Sequence, residues 1–61
     1  MVAKLKIERI KKGLTQQKLA DLTSLKQITI SQIEFGRKPL PDERAVLAAV
    51  LEIPVDELFP D

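Results

Sequence analysis

Sixty-one residues make a single domain, and a chain of this size buries only about 60% of the surface its unfolded form exposes, so its core is small. With no cysteine and no histidine, it has no disulfides, no thiolate metal sites and none of the usual base–nucleophile pairs of enzymes. The net charge is only +1 and no apolar run approaches the roughly 20 residues of a bilayer span; no signal-peptide pattern precedes the first helix, and a soluble, cytoplasmic protein without cofactor or metal is expected.

Ala3, Ile7, Ile10 and Leu14 follow one another at steps of four, three and four. That is the stripe of an amphipathic helix, predicted over residues 2–12 with the stripe facing inward. Leu5 lies off it, one turn before Arg9, and is expected to face a second neighbour. Lys11 and Lys12 suit the negative end of the helix dipole, and Gly13 suits a left-handed cap.

Thr15 is a good N-cap for a short second helix over residues 16–22, its hydroxyl accepting from an otherwise unpaired backbone N–H. Thr23 and Ser24 interrupt the pattern, and a third helix is predicted over residues 27–35, ending at Gly36. Across this stretch Leu19, Ala20, Ile30 and Ile33 recur at helical spacing and should point inward. Gln16, Gln17, Gln27, Thr29, Ser31 and Gln32 collect on the other face. An ordinary solvated helix shows Lys, Glu and Arg there. Amides and hydroxyls both donate and accept hydrogen bonds, which is what reading a base edge demands. Residues 15–36 therefore read as a helix-turn-helix that meets DNA.

Arg37, Lys38, Pro39, Leu40 and Pro41 form a loop that cannot continue as helix. A fourth helix begins near Pro41 or Asp42, with Asp42 and Glu43 at the positive end of its dipole. Residues 45–51 are apolar without interruption. Such a helix is expected to bury more than one side, one against the core and another against a partner; the alternative is that Ala48 and Ala49 are simply helix formers on an exposed side. Pro54 ends the run, and Val55, Leu58 and Phe59 suggest one short closing helix. The expected fold is all-α, a compact five-helix bundle. Charge follows the same division: residues 1–38 carry nine Lys and Arg against Glu8, Asp21 and Glu34, a balance of +6, and residues 39–61 carry a balance of −5. This suits a molecule presenting one end to a polyanion, the plainer alternative being chance clustering on solvated faces.

The run Gly13-Leu14-Thr15-Gln16-Gln17-Lys18-Leu19-Ala20 resembles the opening of helix 2 in phage repressor and Cro-like (XRE-type) DNA-binding domains. Ile30-Ser31-Gln32-Ile33-Glu34-Phe35-Gly36 resembles the close of their recognition helix, and Ile53-Pro54-Val55-Asp56-Glu57-Leu58-Phe59 their usual C-terminal end. The resemblance implies the lambda-repressor-like fold, with its helix-turn-helix at helices 2 and 3. Ser24 occupies the turn position that usually holds glycine. Lys26 occupies the N-cap position of helix 3, where its side chain cannot cap, so Ser24 or Thr23 is expected to substitute. Phe35 takes a place that is normally polar.

Carried over position by position, the resemblance implies that Gln27, Ile28 and Gln32 touch base edges, Gln27 by paired bonds to adenine and Ile28 on a thymine methyl. Ile28 lies nearly opposite Ile30 on the helical wheel, so both cannot be core; the alternative for Ile28 is a scattered surface apolar residue. Thr29 and Ser31 suit phosphate or sugar. Gln16 and Gln17 open helix 2, whose N-terminus favours a phosphate, and Lys26 precedes helix 3 at the groove edge. Arg37 and Lys38 reach the phosphate backbone as flexible cations, or are solvated surface. The resemblance further implies an ion pair between Arg9 and Glu34 that holds the recognition helix at its angle. It also implies a homodimer on a palindromic operator, for which Val46, Val50, Ile53 and Val55 are interface candidates and Phe35 either assists or fills a core gap.

The leading expectation is a small transcriptional regulator of double-stranded DNA, with no membrane and no small-molecule ligand. It would be a compact Cro-like protein or the DNA-binding part of a longer repressor. A second reading is an antitoxin-like module whose main partner is a protein, met by the acidic C-terminal third and the apolar fourth helix. Catalysis is not expected: Gly13 and Gly36 make no phosphate-cradling loop, and Asp56 and Glu57 read as surface charge.

Overall fold

The structure, a computed structural model, describes residues 3–60. Its helices are α1 (Lys4–Lys11), α2 (Gln16–Thr23), α3 (Gln27–Glu34), α4 (Pro41–Leu51) and α5 (Val55–Leu58), with no strand among the described residues. Each predicted helix is present, its ends shifted by a residue or two; the predicted start of the first at Val2 lies outside the described residues.

Four helices stop by one repeated device. The chain passes through a left-handed residue and the next N–H turns back to the carbonyl five positions earlier, which satisfies groups that a helix end leaves open. Leu14 N donates to Arg9 O at 3.1 Å beyond Gly13, Leu25 N to Ala20 O at 3.1 Å beyond Ser24, Arg37 N to Gln32 O at 3.0 Å beyond Gly36, and Ile53 N to Ala48 O at 3.1 Å beyond Glu52. Ser24 (φ 60°) and Glu52 (φ 59°) hold this conformation with a side chain, where sterics disfavour it. The turn between α2 and α3 is therefore the left-handed one, built on serine rather than glycine.

The starts are less uniform. Thr15 Oγ1 accepts from Lys18 N at 3.0 Å, as expected of an N-cap. Neither Ser24 nor Thr23 caps α3, contrary to expectation, and Lys26 contributes no side-chain bond there. The Thr23 hydroxyl is instead turned back on its own helix, donating toward Leu19 O at 2.8 Å and Ala20 O at 3.2 Å. At α4, Pro41 stands at the first turn and Glu43 Oε1 accepts from Leu40 N at 2.9 Å.

Leu5, Leu19, Ala20, Ile30, Ile33, Leu47, Ala48, Leu51 and Leu58 form the core, with Leu14, Leu25, Val50, Ile53 and Phe59 packed against it. Two expectations are corrected here. The α1 stripe does not face inward: Ile7 is 41% and Ile10 57% exposed, Ala3 and Leu14 are only half-buried, and the buried pair is Leu5 and Arg9. Periodicity counts apolar residues and takes no account of an arginine whose charge is answered inside, which is what turns the helix. On α4 the alternative that put Ala48 on an exposed side is overturned, and one side of the helix is interior within the chain. Leu47, Ala48 and Leu51 are interior, Val46 and Val50 are half-buried, and Ala45 and Ala49 are exposed. Phe35 fills no core gap, being 91% exposed.

Replacing Glu52 with glycine relieves the left-handed strain and forfeits only a 3.7 Å surface pair with Lys12. Glu52→Gly is expected to raise stability by about 1 kcal/mol, a gain of roughly 4–8 °C in Tm for so small a domain. Thermal denaturation checks it, and a lower Tm would contradict the assignment of strain to this residue.

Candidate nucleic-acid interface

The buried face of α3 decides what its other face offers. Ile30 and Ile33 anchor the helix in the core, three residues apart, so Gln27, Ile28 and Gln32 come to the outside. All three are exposed, Ile28 at 60%. Thr29 and Ser31 lie half-buried at the flanks, and Lys26 is exposed just before the helix. Gln17, exposed on α2, bonds within its own helix, donating to Asp21 Oδ1 at 2.9 Å.

Behind this face sits a charged pair. Arg9 Nε donates to Glu34 Oε2 at 2.7 Å and Nη2 to Oε1 at 3.2 Å, while Nη1 donates to Leu14 O at 2.7 Å. The side chains are 9% and 4% exposed. A guanidinium fork on a carboxylate is the arrangement in which buried charges compensate each other well. Because α1 supplies the arginine and the last turn of α3 the glutamate, the pair fastens one helix to the other.

The network extends outward from that pair. Gln16 Nε2 donates to Glu34 Oε1 at 3.0 Å, and Gln27 Nε2 donates to Gln16 Oε1 at 3.2 Å. Gln16 is half-buried and Gln27 exposed, so the series runs from interior to surface across α1, α3 and α2. Sequence reasoning named all four residues and, through the family resemblance, paired Arg9 with Glu34; the links from Glu34 to Gln16 and from Gln16 to Gln27, 18 and 11 positions apart, leave no local mark.

Arg37 corrects another expectation. It is not a flexible cation, for Nη2 donates to Glu43 Oε1 at 3.0 Å and Nη1 to Lys38 O at 3.4 Å. The same carboxylate takes the Leu40 N–H, so Glu43 ties the loop after α3 to the start of α4. The Leu40 hydrogen bond foremost, opposed by partial burial and aided by Arg37, holds the Glu43 carboxyl below the usual glutamate range.

Acidic side chains near the candidate face are answered locally. Glu34 is paired with Arg9, Glu8 lies 3.6 Å from Lys4 and 3.5 Å from Lys11, and Asp21 accepts from Gln17. Lys18, Lys26 and Lys38 remain exposed on the same half of the chain, so that half offers positive charge to a polyanion.

A family model described as helix-turn-helix matches residues 5–58. The chain belongs to the XRE-type helix-turn-helix family. No curated protein matches it in a comparison of sequences. This helix-turn-helix is a DNA-binding regulatory domain, with α2 and α3 as its two helices. No helix among the described residues is long and apolar enough to cross a membrane, and no group of three metal-ligating side chains is found among them.

Two outcomes follow for the helix-turn-helix. Glu34→Ala strands the Arg9 charge in the interior and should lower stability by about 3–5 kcal/mol in chemical denaturation, whereas a loss below about 1 kcal/mol would class the pair with exposed ones. Glu43 titrates lower folded than unfolded, so its contribution is present above the ordinary glutamate pKa and is lost as the pH falls through the lowered value. Glu43→Gln should accordingly be less stable than the parent at neutral pH, the difference narrowing below about pH 4. A gap in Tm that stays constant across that range would remove Glu43 from the acid response.

Proposed function

We propose that the domain is a transcriptional regulator that binds a palindromic operator as a homodimer, laying α3 in the major groove. The observation that carries this reading is Ile28 held in water between Gln27 and Gln32, on the face of α3 turned away from Ile30 and Ile33. Gln27, Ile28 and Gln32 contact base edges: the amides suit adenine and the isoleucine suits a thymine methyl. Gln16, Gln17, Lys26, Thr29 and Ser31 serve the phosphate backbone, with Arg37 and Lys38 beside it. Exchange of its carboxylate partner for a phosphate is available to Arg37 at little cost, since the Glu43 pair is near the surface.

One domain spans few base pairs, and two-fold pairing on half-sites one helical turn apart supplies what a single copy lacks. Val46, Val50, Ile53 and Val55 are the interface residues in this reading. Val55 is exposed and the others are half-buried, which supports an apolar contact beside the core.

Selecting bound sequences from a random duplex pool tests the proposal. Two inverted half-sites about one turn apart are expected, whereas a single unpaired half-site would refute the dimer. Within the same selection Gln27→Ala should relax one base position, and Lys26→Ala should weaken all sequences alike and reduce the salt slope by about 1. Enrichment of no sequence at all would favour a protein as the main partner.

A further inference from the structure

Gln27 is one of four linked side chains, and Glu34, two links inward, has a property that Gln27 lacks. A carboxylate only accepts hydrogen bonds, whereas an amide offers a donor at one end and an acceptor at the other. Glu34 Oε1 already takes Arg9 Nη2 at 3.2 Å and Gln16 Nε2 at 3.0 Å. Gln16 therefore has one workable orientation, NH2 toward Glu34 and oxygen outward. Gln27 meets that oxygen at 3.2 Å and must offer its own NH2. What Gln27 has left for DNA is one N–H on the α2 side and its oxygen on the other, in that order.

We infer that Glu34 is a positioning residue for base recognition: acting through Gln16, its carboxylate sets the polarity of the Gln27 amide and so which orientation of an A·T pair the helix prefers. An untethered glutamine amide rotates by half a turn at little cost and serves either orientation. Glu34 itself is buried and touches no nucleic acid in this scheme. The inference rests on the proposed reading of α3 as the base-contacting helix, and its test separates the two.

The first arm uses the free protein. Glu34→Asp keeps the charge and withdraws the carboxylate by one methylene, and it should shift the side-chain 1H–15N resonances of Gln27 while those of Gln32 stay in place. Unmoved Gln27 resonances would overturn the inference whatever the DNA results. The second arm measures competition among duplexes that differ at the base position whose preference Gln27→Ala erases. Gln16→Met removes one hydrogen bond on Glu34 but leaves the Arg9–Glu34 pair intact, so it should stay folded with a smaller fall in Tm than Glu34→Ala, yet discrimination there should fall roughly tenfold, within the range that one paired amide contact supplies. Gln16→Lys still answers Glu34 but presents only donors, so Gln27 must turn its oxygen inward and the preferred A·T orientation should reverse. Should Gln16→Met weaken all duplexes equally with preference intact, Gln16 serves the phosphate backbone alone and the inference fails, although the reading of α3 stands. Should Gln27→Ala erase no preference at any position, the reading itself fails and the inference with it.

Discussion

Arg9 enters the interior with its guanidinium closed on Glu34 and its remaining arm on the Leu14 carbonyl, and the placement of α1 follows from that. A lone charge in so small a core would be costly, while a forked pair with all three guanidinium nitrogens engaged is tolerated. The pair brings Leu5 inward one turn earlier and leaves Ile7 and Ile10 in water. It fixes the last turn of α3 against α1, and with it the direction in which the outer face of α3 looks. One ion pair thus sets both what the core contains and what the surface displays.

The division of labour along α3 is an outcome of this arrangement. Two isoleucines supply its hold on the core, so the remaining positions are released from packing and are free to carry polar chemistry. They are amides and hydroxyls rather than lysines and glutamates, which distinguishes a surface made for directional hydrogen bonding from one made only for solubility. Positive charge is kept to the margins of the face, where it attracts a polyanion without dictating sequence.

Economy of length shapes the rest. Helices of eight residues are too short to persist alone and depend on packing and on well-finished ends. The repeated left-handed stop lets the chain leave each helix within two or three residues and still satisfy its carbonyls. Gly13 and Gly36 do this without strain, whereas Ser24 and Glu52 tolerate it because the surrounding bonds hold them there. Glu43 joins the loop after α3 to the start of α4 by accepting from both Leu40 and Arg37, a connection of few residues that needs no core of its own.

Where the helices lie, how Thr15 opens α2 and how Gly13 and Gly36 close their helices were all legible in the chain, because those choices depend on neighbours within a turn. So were the outward glutamines and the inward Leu19, Ala20, Ile30 and Ile33, since α2 and α3 follow a simple apolar stripe. Only the folded molecule decided which side of α1 is buried, because the stripe of isoleucines lost to an arginine whose partner lies 25 positions away. It likewise decided that Thr23 would serve its own helix, that Arg37 would be tethered and that Gln27 would be oriented from behind. Each of these is a pairing between groups with more than one competent partner, and proximity in space, not order along the chain, selected among them.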